Sequence, residues 1–317
     1  MDALLRLGGP AVFVLLWSTG FVGAKYGLPY ADPFPLLALR MVLAALLLGA
    51  LAVALRSVAM PAPRAYGDAA VVGLFLHAGY LGGVFHAISV GVPAGVSAVV
   101  VSLQPVLTAV LAGRILDERL VARQWLGLVL GVTGVALVVG PGLAAAAGSA
   151  AALPASGLVS CLVALASGTV ATLHQKRRGD GIPLVWGTAV QYAAAAVVLT
   201  AVALGTGQRR LDWTPQLAAA LVWLVLVLSL GAVLLLLLLL RRGTASGVSS
   251  LLYLVPPAVA VEAYLMFDER LAPLSLAGVA VAALGVALVV TPVRTGRGRL
   301  LRTAARATGP AERRETA

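Results

Sequence analysis

The 317-residue chain is 61% hydrophobic and 11% charged, with a formal net charge of +11 at neutral pH and a mean hydropathy of +1.00. A soluble domain carries roughly 25% charged residues, so this composition excludes a soluble enzyme or regulatory domain and defines an integral membrane protein. The basic excess does not indicate nucleic acid. Its residues lie in short clusters between apolar runs, seven of the 23 after Pro292, which suits loops facing an anionic leaflet.

A spanning helix needs about 20 apolar residues. On that criterion the sequence predicts an all-α integral membrane protein of about ten transmembrane helices, near residues 9–28, 34–55, 68–90, 93–116, 122–141, 154–174, 184–204, 216–240, 243–267 and 273–292. The first apolar run has only Arg6 before it and no cleavage site, and it reads as a retained span. Pro29, Pro33, Pro61, Pro63, Pro93, Pro183 and Pro273 punctuate the breaks, and a Gly/Ala/Ser stretch at 140–150 links the halves. Tight turns join spans three and four, and eight and nine. The single cysteine, Cys161, permits no intrachain disulfide and gives no sign of redox or thiolate-metal chemistry.

One stretch occurs twice. G-V-P-A-G-V-S from Gly91 leads to D-E-R-L at Asp117, and G-T-A-S-G-V-S from Gly243 leads to D-E-R-L at Asp268; both copies close on G-V-A-L-V-V. The offset is 268 − 117 = 151, and it also relates Lys25 to Lys176, Arg40 to Gln191 and Gly134 to Gly285. The domains expected are therefore a five-helix repeat at 9–141, a second at 154–292, and a basic tail at 293–317 expected to be disordered. With the N-terminus cytoplasmic, 18 basic residues fall in inner segments and four in outer ones, Arg40 lying within a span. That asymmetry places both termini inside. Five spans per half is an odd number, so the halves enter the membrane from opposite sides. Such inverted repeats build secondary transporters with a site near the bilayer midplane.

W-S-T-G-F-V at Trp17, L-R-M at Leu39, the block that runs from P-A-G-V-S in the first copy and A-S-G-V-S in the second to D-E-R-L in both, and V-Q-Y at Val190 together resemble the drug/metabolite transporter superfamily, in its ten-helix EamA-type permease branch with two EamA repeats. The resemblance covers about residues 10–292. It implies inner-membrane export or uptake of small metabolites, often amino acids, or of drugs. Glu262 departs from the family pattern, which has an apolar residue there.

Charged and strongly polar residues inside spans are costly and are functional candidates. Glu262 lies five residues before Phe267, about 7–8 Å inside its helix end. It suits a cationic substrate or proton exchange, or alternatively a structural pair with Arg40. Arg40 suits a substrate carboxylate through a bidentate fork. His77 is a candidate proton carrier or a packing histidine, with Tyr80 on the same helical face. Ser102, Gln104 and Tyr253 flank the proline breaks at Pro105, Pro256 and Pro257, whose freed carbonyls must face protein or a cavity, and so they are expected along the path with Trp17 and Gln191. Glu118 and Glu269 of the D-E-R-L repeats read as helix N-terminal caps. His86 and His174 lie near span ends. The histidines are scattered without carboxylates at ligand spacing, so no metal and no cofactor is expected.

The function expected is a secondary-active carrier of a small-molecule substrate, embedded in a bacterial-type inner membrane, with protons as a candidate coupling ion and a homodimer left open. The alternatives are a passive channel or a non-transporting scaffold. An intramembrane enzyme is supported least, since no nucleophile with a base and no H-E-x-x-H is present.

Overall fold

The structure is a computed structural model that describes residues 9–60, 62–104, 106–108, 111, 122–146, 153–179, 181–242, 251, 254–268 and 272–290. Among these the regular secondary structure is all helical apart from one isolated bridge, Ala31 to Leu211. Helices are labelled in chain order: α1 Gly9–Gly27, α2 Pro33–Ala54, α3 Arg64–Ser89, α4 Ala94–Val101, α5 Ala122–Ala146, α6 Ala155–Arg178, α7 Leu184–Gly205, α8 from Pro215 to Arg242, α9 Val255–Phe267 and α10 Pro273–Val290. Six of them (α1, α2, α3, α6, α7 and α8) are long and apolar enough to cross a membrane, and the other four supply shorter apolar segments. This is an all-α, multi-pass membrane protein.

Several boundaries differ from the sequence expectation for local reasons. Helix α5 runs through Pro141 to Ala146, into the stretch expected to be linker. A proline near a helix end removes a single donor, and the alanines that follow are the strongest helix formers. Helix α6 continues to Arg178, so Lys176, Arg177 and Arg178 occupy its last turn, where cations face the negative end of the helix dipole. Gly91, with φ of 101°, makes the tight turn between α3 and α4. The expected turn between spans eight and nine, the D-E-R-L caps Glu118 and Glu269, Tyr253 and the basic tail all lie outside the described residues.

The two halves pack as images of one another. Helix α1 lies on α8 as α6 lies on α3, while α2 pairs with α7, α4 with α9 and α5 with α10. A Cβ on Gly134 would collide with Ala282, and one on Gly285 would collide with Gly131. Both differences, 285 − 134 and 282 − 131, equal 151, so these contacts exchange under the repeat offset. Ascending residues on α5 meet descending ones on α10: Gly285 abuts Gly127 and Gly131, whereas Gly278 abuts Gly134 and Val138. Ser275 donates to the Val138 carbonyl at 3.1 Å in the same sense. Corresponding helices of the two halves therefore run antiparallel. This is the isologous contact of a two-fold axis lying across the bundle, the geometry of an inverted repeat. Gly20, Gly23 and Gly27 of α1 likewise meet Leu228, Leu224 and Ala220 of α8 in descending order.

The inversion extends to backbone detail. Ser57 N–H bonds the Ala52 carbonyl at 2.8 Å and Gln208 N–H bonds the Ala203 carbonyl at 3.0 Å. Each bond closes a left-handed helix terminus, at Arg56 (φ 51°) and Gly207 (φ 71°), in the manner of a Schellman motif. The third helix of each half also carries a π-helical segment at corresponding positions, Gly73–Leu81 in α3 and Trp223–Ala232 in α8. A π segment is a rare element, enriched at functional sites.

Candidate functional site: a midplane cavity between the halves

The two π segments face a narrow cavity of about 50 Å³. Helix α1 contributes Trp17, Gly20 and Phe21, α2 contributes Arg40, and α3 contributes His77, Tyr80 and Phe85. From the second half, Tyr192 of α7 joins Leu228 and Val233 of α8. Glycine permits the approach that forms this site: a Cβ on Gly73 would overlap the Gln191 carbonyl, so α3 and α7 meet backbone to backbone beside the cavity. Arg40 is seven residues into α2 and Leu228 is 13 residues beyond Pro215. At 1.5 Å per residue these lie about 10 and 20 Å from the bundle end that carries the α1–α2 and α7–α8 loops, in the middle of a hydrocarbon core about 30 Å thick.

Arg40 is 3% exposed. Its Nε donates to Ser229 Oγ at 3.0 Å, and Ser229 in turn donates to the Leu224 carbonyl five residues back at 3.1 Å, a spacing the π segment creates. No carboxylate lies within ion-pair distance of Arg40 among the described residues. The Arg40–Glu262 pair, one of the two alternatives for Glu262, is thus not formed here. Glu262 instead accepts from Ser18 Oγ at 2.6 Å, joining α9 to α1, while its Oε2 is buried without a hydrogen-bond partner among the described residues. Trp17 faces the cavity and Ser18 faces α9. Consecutive residues project about 100° apart on a helix, so α1 stands between the two charges.

The His77 ring stacks on Tyr192 with centroids 4.1 Å apart and planes 18° from parallel. His77 is 2% exposed and Tyr192 fully buried. His77 Nε2 and Tyr192 Oη have no hydrogen-bonding atom of the described protein in bonding geometry. The His77 imidazole, the Tyr192 phenol and the Arg40 guanidinium thus meet in one aromatic-walled space, with Tyr192 interacting with Arg40 and Ser229 and His77 with Gln191.

Trp17, Arg40, His77 and Tyr80 therefore converge. Three other expected path residues do not line the cavity, and each has its polar group engaged elsewhere or sealed by packing. Ser102 Oγ turns back to the Val99 carbonyl at 2.6 Å. Gln104 Nε2 crosses to α6, donating to the Gly168 carbonyl at 3.1 Å and to Thr172 Oγ1 at 2.9 Å. Gln191 is 5% exposed, packed where α7 meets α3. His86 stacks with Phe34, and His174 Nε2 lies 2.9 Å from Asp68 Oδ1. Sequence reasoning missed Tyr192 and Ser229 as site residues. Ser229 carried a usable signal, a lone hydroxyl within the most apolar span. Tyr192 carried a weaker one, standing next to the repeat image of Arg40. No cluster of three metal-ligating side chains occurs among the described residues.

At one end of the bundle the α1–α2 and α7–α8 loops are bonded to each other across the halves. Asp32 Oδ2 accepts the backbone N–H groups of Arg209 at 3.1 Å and Arg210 at 2.9 Å. The Arg210 guanidinium donates to the carbonyls of Pro29 and Leu28 at 3.0 and 3.2 Å and lies 3.7 Å from Asp32 and from Asp212. Two backbone bonds add to this, Asp32 N–H to the Arg210 carbonyl and Asp212 N–H to the Tyr30 carbonyl. The images of Asp32 and Arg210 under the offset are Pro183 and Ala59, which cannot form the same clasp. At that opposite end the described contacts are side-chain ones, His174 with Asp68 and Trp186 Nε1 with Tyr66 Oη at 3.4 Å.

An inverted pair of five-helix halves enclosing a cavity is an architecture typical of membrane transporters. The model of the EamA-like transporter family matches residues 11–140 and again 155–291, and the chain belongs to that family. Among curated proteins it is similar to the uncharacterized transporter YvbV of Bacillus subtilis (strain 168), 26% identical over 283 residues that span 89% of this chain and 90% of the relative. A solved crystal structure shares the fold with a TM-score of 0.63 at 20% identity, covering 95% of this chain and 98% of that one.

Proposed function

We propose that this transporter is a secondary-active carrier that moves a small metabolite across a bacterial inner membrane by alternating access, the two five-helix repeats rocking about the midplane cavity. The observation that carries the reading is the antiparallel, offset-preserving packing of the halves around a cavity at mid-depth. With the termini cytoplasmic, as the basic-residue asymmetry argues, the Asp32–Arg210 clasp closes the outer face. At about 50 Å³ the cavity admits a few waters but falls short of the 300–1,000 Å³ typical of a ligand site. The conformation is therefore a constricted one that opens to take substrate. Glu262, hydrogen-bonded across the α1–α9 interface, is the coupling group we propose for proton exchange, with His77 as the second candidate. Helix α9 is a second-half element packed on a first-half one, so gain or loss of a proton there would bias how the halves pack. The test is uptake into proteoliposomes. Accumulation above equilibrium driven by an imposed proton gradient supports a carrier, and purely downhill flux supports a channel. No flux for any substrate bound by the purified protein supports a scaffold.

A further inference from the structure

Resting on the transport reading, we infer that the cavity around Arg40 binds a small organic monoanion with a flat aromatic body, its carboxylate held by the Arg40 guanidinium. Arginine stays charged in proteins, and a buried charge without a partner in a membrane protein is costly. Here Nε donates to a neutral hydroxyl, the neutral phenol of Tyr192 lies beside the guanidinium, and among the described residues no acidic side chain lines the cavity. The missing counter-charge is most simply the cargo's own. Tyr192 Oη, which interacts with Arg40 and Ser229, and His77 Nε2, on a side chain that interacts with Gln191, are buried beside it with no partner in close hydrogen-bond geometry among the described residues and can complete the hydrogen bonding of a carboxylate. The remaining wall is Trp17, Phe21, Tyr80 and Phe85 with aliphatic residues, and such rings pack a planar apolar body by offset stacking or edge-to-face contact.

The same inventory sets selectivity. One cation matches one negative charge, so a dianion such as a phosphate monoester would be undercompensated. An ammonium finds no carboxylate among the described residues that line the cavity, because Glu262 lies across α1, bonded to Ser18. A zwitterionic amino acid would carry an unpaired positive charge into an apolar space, which disfavours it against the plain acid of the same shape.

The experiment is a ligand titration by thermal shift on the purified full-length chain. The probes are benzoate, phenylacetate and indole-3-acetate, set against phenylalanine, phenethylamine and phenylacetamide. At least one acid is expected to raise the Tm, and to bind about tenfold or more tightly than the zwitterion, amine and amide. Arg40→Gln should weaken acid binding by about 10- to 100-fold, while Arg40→Lys, a point charge without the planar fork, retains part of it. Should Arg40→Gln fail to fold, Tyr192→Phe supplies the second arm, with about 3- to 10-fold weaker binding expected. Silence of all three acids, equal binding of the amine or zwitterion, or unchanged acid binding in Arg40→Gln would overturn the inference. Acid binding without counterflow into proteoliposomes would instead overturn the transport reading and leave the anion site standing. Carriage of other cargo by a protein that binds none of the acids would do the reverse.

Discussion

Replacing Asp32 with alanine removes the side-chain acceptor that holds two backbone N–H groups of the α7–α8 loop at 2.9 and 3.1 Å. Each such bond is worth about 0.5–1.5 kcal/mol net. The ion pair to Arg210, long at 3.7 Å and between partly exposed groups, adds little. The clasp therefore loses about 1–2 kcal/mol, which changes a closed-to-open ratio by about 5- to 30-fold. Val84, on α3 in the cavity wall, supplies a reporter as Val84→Cys on a Cys161→Ala background. A membrane-impermeant thiol reagent applied from the clasp side labels it in proportion to the open population. Asp32→Ala should raise that rate by about 5- to 30-fold and leave labelling from the opposite side equal or slower. An unchanged rate from the clasp side would refute the idea that these bonds hold that end closed.

Arg56→Gly should stabilise the protein by about 1 kcal/mol, because a left-handed residue with a Cβ costs about 1–2 kcal/mol relative to glycine; its image substitution Gly207→Ala should cost a similar amount, both read by Tm. Gly134→Leu forces α5 from α10 at the point where a Cβ already meets Ala282; overpacking of this kind costs typically 1–3 kcal/mol, and an unaltered Tm would count against the antiparallel contact described. Glu262→Gln should abolish proton-driven accumulation while substrate counterflow persists; if it does not, His77→Gln should abolish the accumulation instead, and unchanged proton-driven rates in both variants would remove both residues from the coupling step.

Much of this architecture was legible because duplication leaves a numerical trace. The offset of 151 came from D-E-R-L and from Gly134 and Gly285, and the same glycines turned out to be the contacts that exchange across the axis. Arg40, His77, Tyr80 and Trp17 stood out as polar or amphipathic groups within spans, and the fold gathers them. Glu262 was equally conspicuous, yet its partner was not legible. Its depth from the helix end follows from counting residues, but which neighbour it faces depends on the rotation and crossing of α9 against α1, and one-dimensional spacing does not encode those. The π segments were hidden for a related reason. An extra residue in a turn leaves an apolar span looking apolar, and the five-residue step shows only in the folded chain, as in the Ser229-to-Leu224 and Val233-to-Leu228 bonds. Gln104 and Ser102 misled because a polar side chain near a helix break can be satisfied by a neighbouring helix or its own backbone as readily as by a cavity. The clasp was invisible because Asp32 and Arg210 are far apart in sequence and neither lies in a span.

Alternating access about the midplane cavity is tested most directly by pairs of spin-label distances measured on the same protein in lipid. One pair spans the clasp, at Tyr30 and Leu211, and the other spans the opposite end, at Tyr66 and Trp186. The account predicts two conformations in which the distances change in opposite senses, with substrate or a pH step shifting their populations. Both ends widening together, or a single fixed distance at each end under every condition, would contradict it.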